Sequence, residues 1–375
     1  MNQNKSLILI ICAAILLFNL FLISRNPDCP FHVDYVQYTT SISNFYEKGI
    51  IEGSVNGKHI YIYIMSIFLM PFNLLNLKLY NGMVFVTGIF QILLVYLFYR
   101  YTDSVMKTLL MATTLTFLTF IGHAETAIIS SVFLLLYFMF RDKPYSEFFI
   151  AIASFIRIDS AIYYLFARKW TSLIPMTITF LQWLNMKYFV HSDFGINNAP
   201  FSVMLILLAS YGTYLILLFF LAKPKNKPDF IIHIFIVAIL ILFLESPSQK
   251  VFFFPVMLSF MLYDFDFAKL RKYAIIPFII INVGLGLTIQ LVRAEHCTPQ
   301  SVHQFAIDHI QVFYGVFQPY LDYYNMPQDN EYTYQLTTKC KNATDYFMAE
   351  DWRNSQILYW PYKFCLEEYN ADHTS

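Results

Sequence analysis

Four short polar clusters interrupt an otherwise apolar chain, and each carries a group able to do chemistry. They are His32-Val33-Asp34, His123-Ala124-Glu125 inside the turn Gly122 to Thr126, Arg157-Ile158-Asp159, and His191 to Pro200. A carboxylate can take a proton from an attacking hydroxyl. A guanidinium, an ammonium or an imidazole can stabilise a departing phosphate. Together these are the parts of an acid–base displacement on a phosphate-linked substrate. Asp34 is the candidate base and Glu125 the second candidate catalytic residue. Arg157, Lys58 and His123 are candidate phosphate partners, and His32, Asp159 and His191 complete the candidate substrate-binding set. The histidines lack the tight spacing of a zinc site. His123 with Glu125, or His32 with Asp34, could meet at a metal only in space. No cofactor follows from these residues, and a divalent cation (Mg or Mn) is the single candidate.

Each residue also has a plainer role. A carboxylate in a loop beside an apolar run is commonly just solvated. Glu125 can cap the helix that begins at Thr126, since acids favour helix N-termini. Arg157 and Asp159 can form a structural ion pair. His191 to Pro200 can be a simple turn.

The surrounding sequence says where such chemistry would take place. Of 375 residues, 57% are hydrophobic and 13% charged, which no soluble domain of this size resembles. The formal net charge is zero, so nothing points to nucleic acid. The apolar residues come in long runs, the pattern of a polytopic helical membrane protein whose solvent is the lipid bilayer. Ser6 to Ser24 reads as an uncleaved first span, because Ser24-Arg25-Asn26-Pro27 is a poor signal-peptidase site. Further spans are expected at 81–99, 105–121, 126–140, 171–190, 200–222, 230–244, 251–263 and 273–292. Ile60 to Asn76 is expected to be re-entrant or interfacial. Ser146 to Ala167 holds Arg157 and Asp159 at its middle, where a full span could not easily carry them, and reads as two short helices meeting at that turn. The fold class is therefore all-α and polytopic, with about nine to eleven transmembrane or re-entrant helices.

Lysine and arginine place Arg100 to Lys107, Arg141 to Lys143, Arg168-Lys169, Lys223 to Lys227 and Lys269 to Lys272 on the cytoplasmic side. The four polar clusters then share the opposite face, with all histidines but His233. Loop 25–59 carries Asp34 at the start of a short amphipathic helix, whose apolar face is Tyr35, Tyr38, Ile42, Phe45 and Tyr46. Residues 293–375 differ in character and read as a small extracytoplasmic domain. Cys297, Cys340 and Cys365 lie in it, and Cys29 brings the outer cysteines to four. An oxidising compartment would allow two disulfides in any of three connectivities; inverted topology would leave free thiols. Asn342-Ala343-Thr344 is a glycosylation sequon, relevant in a eukaryote only.

In their order and common side, these clusters resemble the GT-C superfamily of membrane glycosyltransferases. In that family an acidic residue follows the first span in a long outer loop, as Asp34 does. A second acidic motif sits in the next outer turn, as in His123-Ala124-Glu125. Phe155 to Phe166 is similar to the family's Arg-Pro-acid segment, with Ile158 in place of proline. Tyr188 to Ser202 looks like its tyrosine/glycine/asparagine/proline loop. The layout is most similar to serotype-converting O-antigen glucosyltransferases, which also carry a cysteine pair in the C-terminal domain, like Cys340 and Cys365. Many members have paired acids where Asp34 is followed by Tyr35.

The resemblance implies a GT-C-like catalytic domain over 1–292. It implies hexose transfer from a polyprenyl-phosphate donor to a glycan acceptor on the periplasmic or lumenal face. A bacterial inner membrane and lipopolysaccharide biosynthesis would be the setting. The alternatives are an O-antigen or capsule polymerase, against which the arginine-poor outer loops weigh, a transporter or flippase, for which no pseudo-repeat is visible, and a non-catalytic assembly subunit.

Overall fold

The computed structural model describes residues 3–25, 33–51, 59–167, 169–189, 222–243, 249–265 and 275–295, and strand residues 312–313, 334–337, 345–350 and 361–368. These residues are predominantly helical. The expected span at 200–222 falls almost wholly outside them.

The helices are α1 (Gln3–Arg25), α2 (Val33–Lys48), α3 (His59–Leu74), α4 (Leu79–Thr102), α5 (Val105–Ala112), α6 (Leu115–Leu118), α7 (Thr126–Met139), α8 (Ser146–Ile156), α9 (Leu173–Phe189), α10 (Lys227–Phe243), α11 (Gln249–Leu262) and α12 (Ile275–Glu295). Lys5–Arg25 and Leu79–Thr102 have the length and apolarity to cross a membrane. The core is built around α7. It is apolar on every side, and all but three of its residues are buried, as expected of a helix without a polar face. It packs on α4, α8 and α11.

Residues 105–121, expected to form one span, are instead broken into α5 and α6. The cause is local. Thr113 and Thr114 bond their hydroxyls to the carbonyls of Leu109, Leu110 and Met111, and the Thr114 hydroxyl then accepts the Phe117 N–H to start a new turn. Such side-chain bonds compete with the helical ladder.

Ser146 to Ala167 is a hairpin. α8 ends at Ile156, Arg157 is extended (φ −145°, ψ 113°), and Ile158–Phe166 returns as a 3-10 helix. Eleven α-helical residues rise about 16 Å. Nine 3-10 residues descend about 18 Å, so the arms match in length. Both feet lie at the Met139 end of α7. There the Tyr137 hydroxyl donates to the Phe166 carbonyl, and Lys169 Nζ donates to the carbonyls of Arg141 and Lys143. Arg157 at the apex lies at the other end, beside Glu125.

Basic residues from separate loops gather at that Met139 end. Arg141 makes two bonds to Asp229, at 2.9 and 3.1 Å, and its guanidinium lies over the rings of Tyr137, Phe138 and Phe166. Burial alone would lower the Arg141 pKa; the hydrogen bonds it donates to Asp229 outweigh that and hold it above the ordinary value. Nearby, β1 (Ala222–Pro224) pairs antiparallel with β2 (Tyr263–Phe265), and Lys107 and Lys225 both approach Asp264.

The expectation of an all-α chain needs one correction. The described part of the tail is a four-stranded sheet of β3 (Val312–Phe313), β4 (Tyr334–Thr337), β5 (Asp345–Glu350) and β6 (Pro361–Glu368), in the order β3-β4-β6-β5. Antiparallel pairing of β6 with both β4 and β5 puts Cys365 opposite Thr337 and Tyr346. Along β6, Tyr362, Phe364 and Leu366 alternate with Lys363, Cys365 and Glu367, the period of a strand, while β3, β4 and β5 are shorter.

Candidate functional site

At the Thr126 end of α7 three separate pieces of sequence meet. The first is α2. Its aromatic face is buried at Tyr35, Tyr38 and Ile42, as the spacing predicts, and the polar Thr39 and Ser41 are buried with them. The second is the turn before α7, where Gly122 (φ +79°) supplies the left-handed residue that lets the chain reverse. The third is the hairpin apex.

Glu125 joins all three. Its side chain accepts the Ala127 N–H at 3.1 Å and so caps α7. Oε2 accepts the Tyr35 hydroxyl from α2 at 2.8 Å. Oε1 accepts from Thr126 and lies 3.7 Å from Arg157 Nη1. Arg157 in turn holds Asp159 through Nε and Nη2 at 3.1 and 2.9 Å. The Glu125 side chain is 2% exposed, that of Arg157 12% and that of Asp159 29%, so the ion pairs grade outward from the core. His123 is buried beside the Tyr35 ring, 6.4 Å between centroids, and Tyr61 donates to the Ala124 carbonyl at 3.5 Å. The plainer roles of Glu125 as a cap and of Arg157 with Asp159 as an ion pair are thus both fulfilled, within the same network.

Below Arg157 a narrow cleft, with room for about one water molecule, lies between α7, the hairpin and α11. Arg157, Asp159, Ser130, Ser131, Ser160 and Tyr163 give it a polar wall. Ser130 and Ser160 bond to each other at 2.7 Å, and Ser130 also donates to the Ala153 carbonyl. The Tyr163 hydroxyl is buried with no hydrogen-bond partner among the described residues.

The structure therefore brings Glu125, His123, Arg157 and Asp159 together. Asp34 is described in its backbone only, as the second residue of α2 and the immediate neighbour of Tyr35. His32, Lys58, His191, Cys29, Cys297 and Cys340 lie outside the described residues, and Cys365 is described in backbone only. Sequence reasoning did not find Tyr35 as a hydrogen-bond donor, nor the serines and Tyr163 of the cleft. Tyr35 was visible as part of an aromatic face, but a pattern of apolar positions cannot show where a hydroxyl points.

Among the described residues no three His, Cys, Asp or Glu side chains converge as metal ligands. Glu125 and Asp159 both face the Arg157 guanidinium, which would have to leave before one cation could bridge them. The described residues do not fit a divalent cation, and no step below passes through one. What the arrangement can do is hold a cationic group, a carboxylate and a helix N-terminus rigidly beside a polar cleft. No protein-family model, curated protein or solved structure matches the chain.

Proposed function

We propose that the chain is a polytopic membrane glycosyltransferase. It transfers a hexose from a polyprenyl-phosphate-linked donor to a glycan acceptor on the extracytoplasmic face. Asp34 is the general base, and the setting is a bacterial inner membrane with residues 293–375 as an extracytoplasmic domain.

Two features support the membrane setting. Large apolar side chains are exposed along α1, α3, α9 and α12, among them Ile10, Leu17, Ile67, Leu74, Ile174, Leu181, Ile280 and Leu285. A soluble surface seldom carries so much contiguous apolar area. Among the described residues, Arg141 and Lys169 also lie at one end of α7, and Glu125 and Arg157 at the other.

The observation that carries the chemical reading is the link from Tyr35 through Glu125 to Arg157. It fixes the helix bearing Asp34 against the hairpin apex. Glu125 accepts three hydrogen bonds and lies 3.7 Å from Arg157 Nη1. Its role here is to orient Arg157 and α2. Asp34 then takes the acceptor's proton as its hydroxyl attacks the anomeric carbon. Arg157 stabilises the negative charge on the departing phosphate.

The test is mass spectrometry of the surface glycan from cells with the wild-type gene, without it, and with Asp34→Asn. The expected result is a hexose-sized mass step seen with wild type only, with normal expression of the variant. Transfer by Asp34→Asn at the wild-type level refutes the assignment of the base. A changed chain length at constant repeat mass would identify a polymerase instead.

A further inference from the structure

The first helix touches the candidate site at its hinge. Asn19 is the only polar residue between Leu7 and Ile23, and it is fully buried. Its Nδ2 donates to the Ile15 carbonyl at 2.9 Å and to Gln91 Oε1 of α4 at 3.0 Å. Its Oδ1 accepts the Gly122 N–H at 2.8 Å. The buried residues of α1 are Ile8, Cys12, Ile15, Asn19 and Leu22, a seam with alternating steps of four and three. Gly88 of α4 lies under Asn19, where an added Cβ would come within 3.0 Å of Asn19 Cγ. A glycine there lets the two helices approach closely. Leu22, one turn on, presses on Gly122 so closely that a Cβ would fall 2.5 Å from its Cδ1.

Length and apolarity do not separate α1 from a signal sequence, but this seam does. A signal sequence has no use for a buried amide that satisfies a turn one hundred residues away. We propose that α1 is a working part of the folded bundle, and that Asn19 is a positioning residue. It fixes the Gly122 turn and thereby aims His123 and Glu125. The second half of this proposal rests on the transferase reading; the first half does not.

Two readouts separate them. The first is amide hydrogen exchange across residues 119–125 of the purified full-length protein. In wild type the Gly122 amide should be protected. In Asn19→Leu it should exchange about tenfold faster, the worth of one buried hydrogen bond. Asn19→Asp, which keeps an oxygen at the same place, and Gln91→Leu, which leaves the Gly122 bond intact, should both retain protection. A freely exchanging Gly122 amide in wild type overturns the proposal even where Asn19→Leu does not fold. So does equal protection in wild type and Asn19→Leu. Loss of protection over all of α1 and α4 would make Asn19 a general packing residue and refute the positioning role. The second readout is the hexose mass step. Asn19→Leu should reduce its rate about tenfold at saturating donor, with Asn19→Asp restoring it. Full transfer despite an exposed turn refutes the positioning role. Absence of transfer by wild type would refute the transferase reading and leave the exchange result standing.

Discussion

The ion pair at the hairpin apex can be made to distinguish a structural role from a chemical one. Arg157→Leu removes two charge-assisted hydrogen bonds to Asp159 and the 3.7 Å contact with Glu125. Breaking a buried pair from one side costs about 3–5 kcal/mol. Asp159 is 29% exposed and water screens part of its share. Glu125, at 2% exposure, has no such relief. The single variant should therefore lose about 3 kcal/mol, or about 4 °C in apparent melting temperature for a chain of this size. Asp159→Leu leaves Arg157 with Glu125 as a partner and should cost about 1–2 kcal/mol. The double variant Arg157→Leu/Asp159→Leu places two apolar groups in the same space. It should recover only the share of the loss that came from Asp159, about 1 kcal/mol, since an apolar pair commonly substitutes for an ion pair but Glu125 lacks its cation in both variants. The assay is thermal unfolding in detergent together with glycan mass analysis for all four proteins. The chemical role requires that the double variant regains that share of stability and not transfer. A double variant that regains both would return Arg157 to structure and refute its role at the phosphate. A double variant no more stable than Arg157→Leu would refute the energetic reasoning itself.

Two further outcomes follow from single contacts. Gly122→Ala forces a side chain into a left-handed turn and against Leu22; it should cost about 1–3 kcal/mol by thermal unfolding, and a neutral substitution would show that the turn is not held as described. Arg141→Met strands Asp229, whose side chain is 8% exposed, with the Asn226 amide left to it; a loss of about 3 kcal/mol is expected, with partial recovery in Arg141→Met/Asp229→Leu, and equal stability of wild type and Arg141→Met would remove the clamp from the account.

The parts of this fold that follow a repeating pattern were legible in the sequence. The aromatic face of α2 and the break at Arg157 both came from spacing and from the cost of charge inside an apolar run. The Thr113-Thr114 break was missed because hydropathy counts threonine as nearly neutral, while its hydroxyl competes for backbone carbonyls. In the tail, β6 alternates Tyr362, Phe364 and Leu366 with polar neighbours and was readable, whereas β3 and β4 are short and β4 pairs with β6 across a long interval. The polar clusters were each recognisable, but not the residues that join them. Tyr35 acts through its hydroxyl from the aromatic face of α2, and Asn19 through both ends of its amide from inside an apolar run.

The two charged ends of α7 set the depth at which the proposed chemistry takes place. Its fourteen residues rise about 21 Å from Glu125 to the Arg141 clamp. A bilayer's hydrocarbon core is about 30 Å thick. If the basic clamp lies at the cytoplasmic boundary, Glu125 and Arg157 sit about 9 Å below the opposite one. Charge at that depth needs cover, and α2 supplies it, with Tyr35 donating to Glu125 from the outer side. The cleft under Arg157 runs deeper still, along Ser130, Ser131 and Leu134. On the proposed function the donor phosphate meets Arg157 at that depth, so transfer by the purified protein should require a lipid-linked donor. A soluble sugar nucleotide that supports transfer in lipid-free detergent would refute that reading.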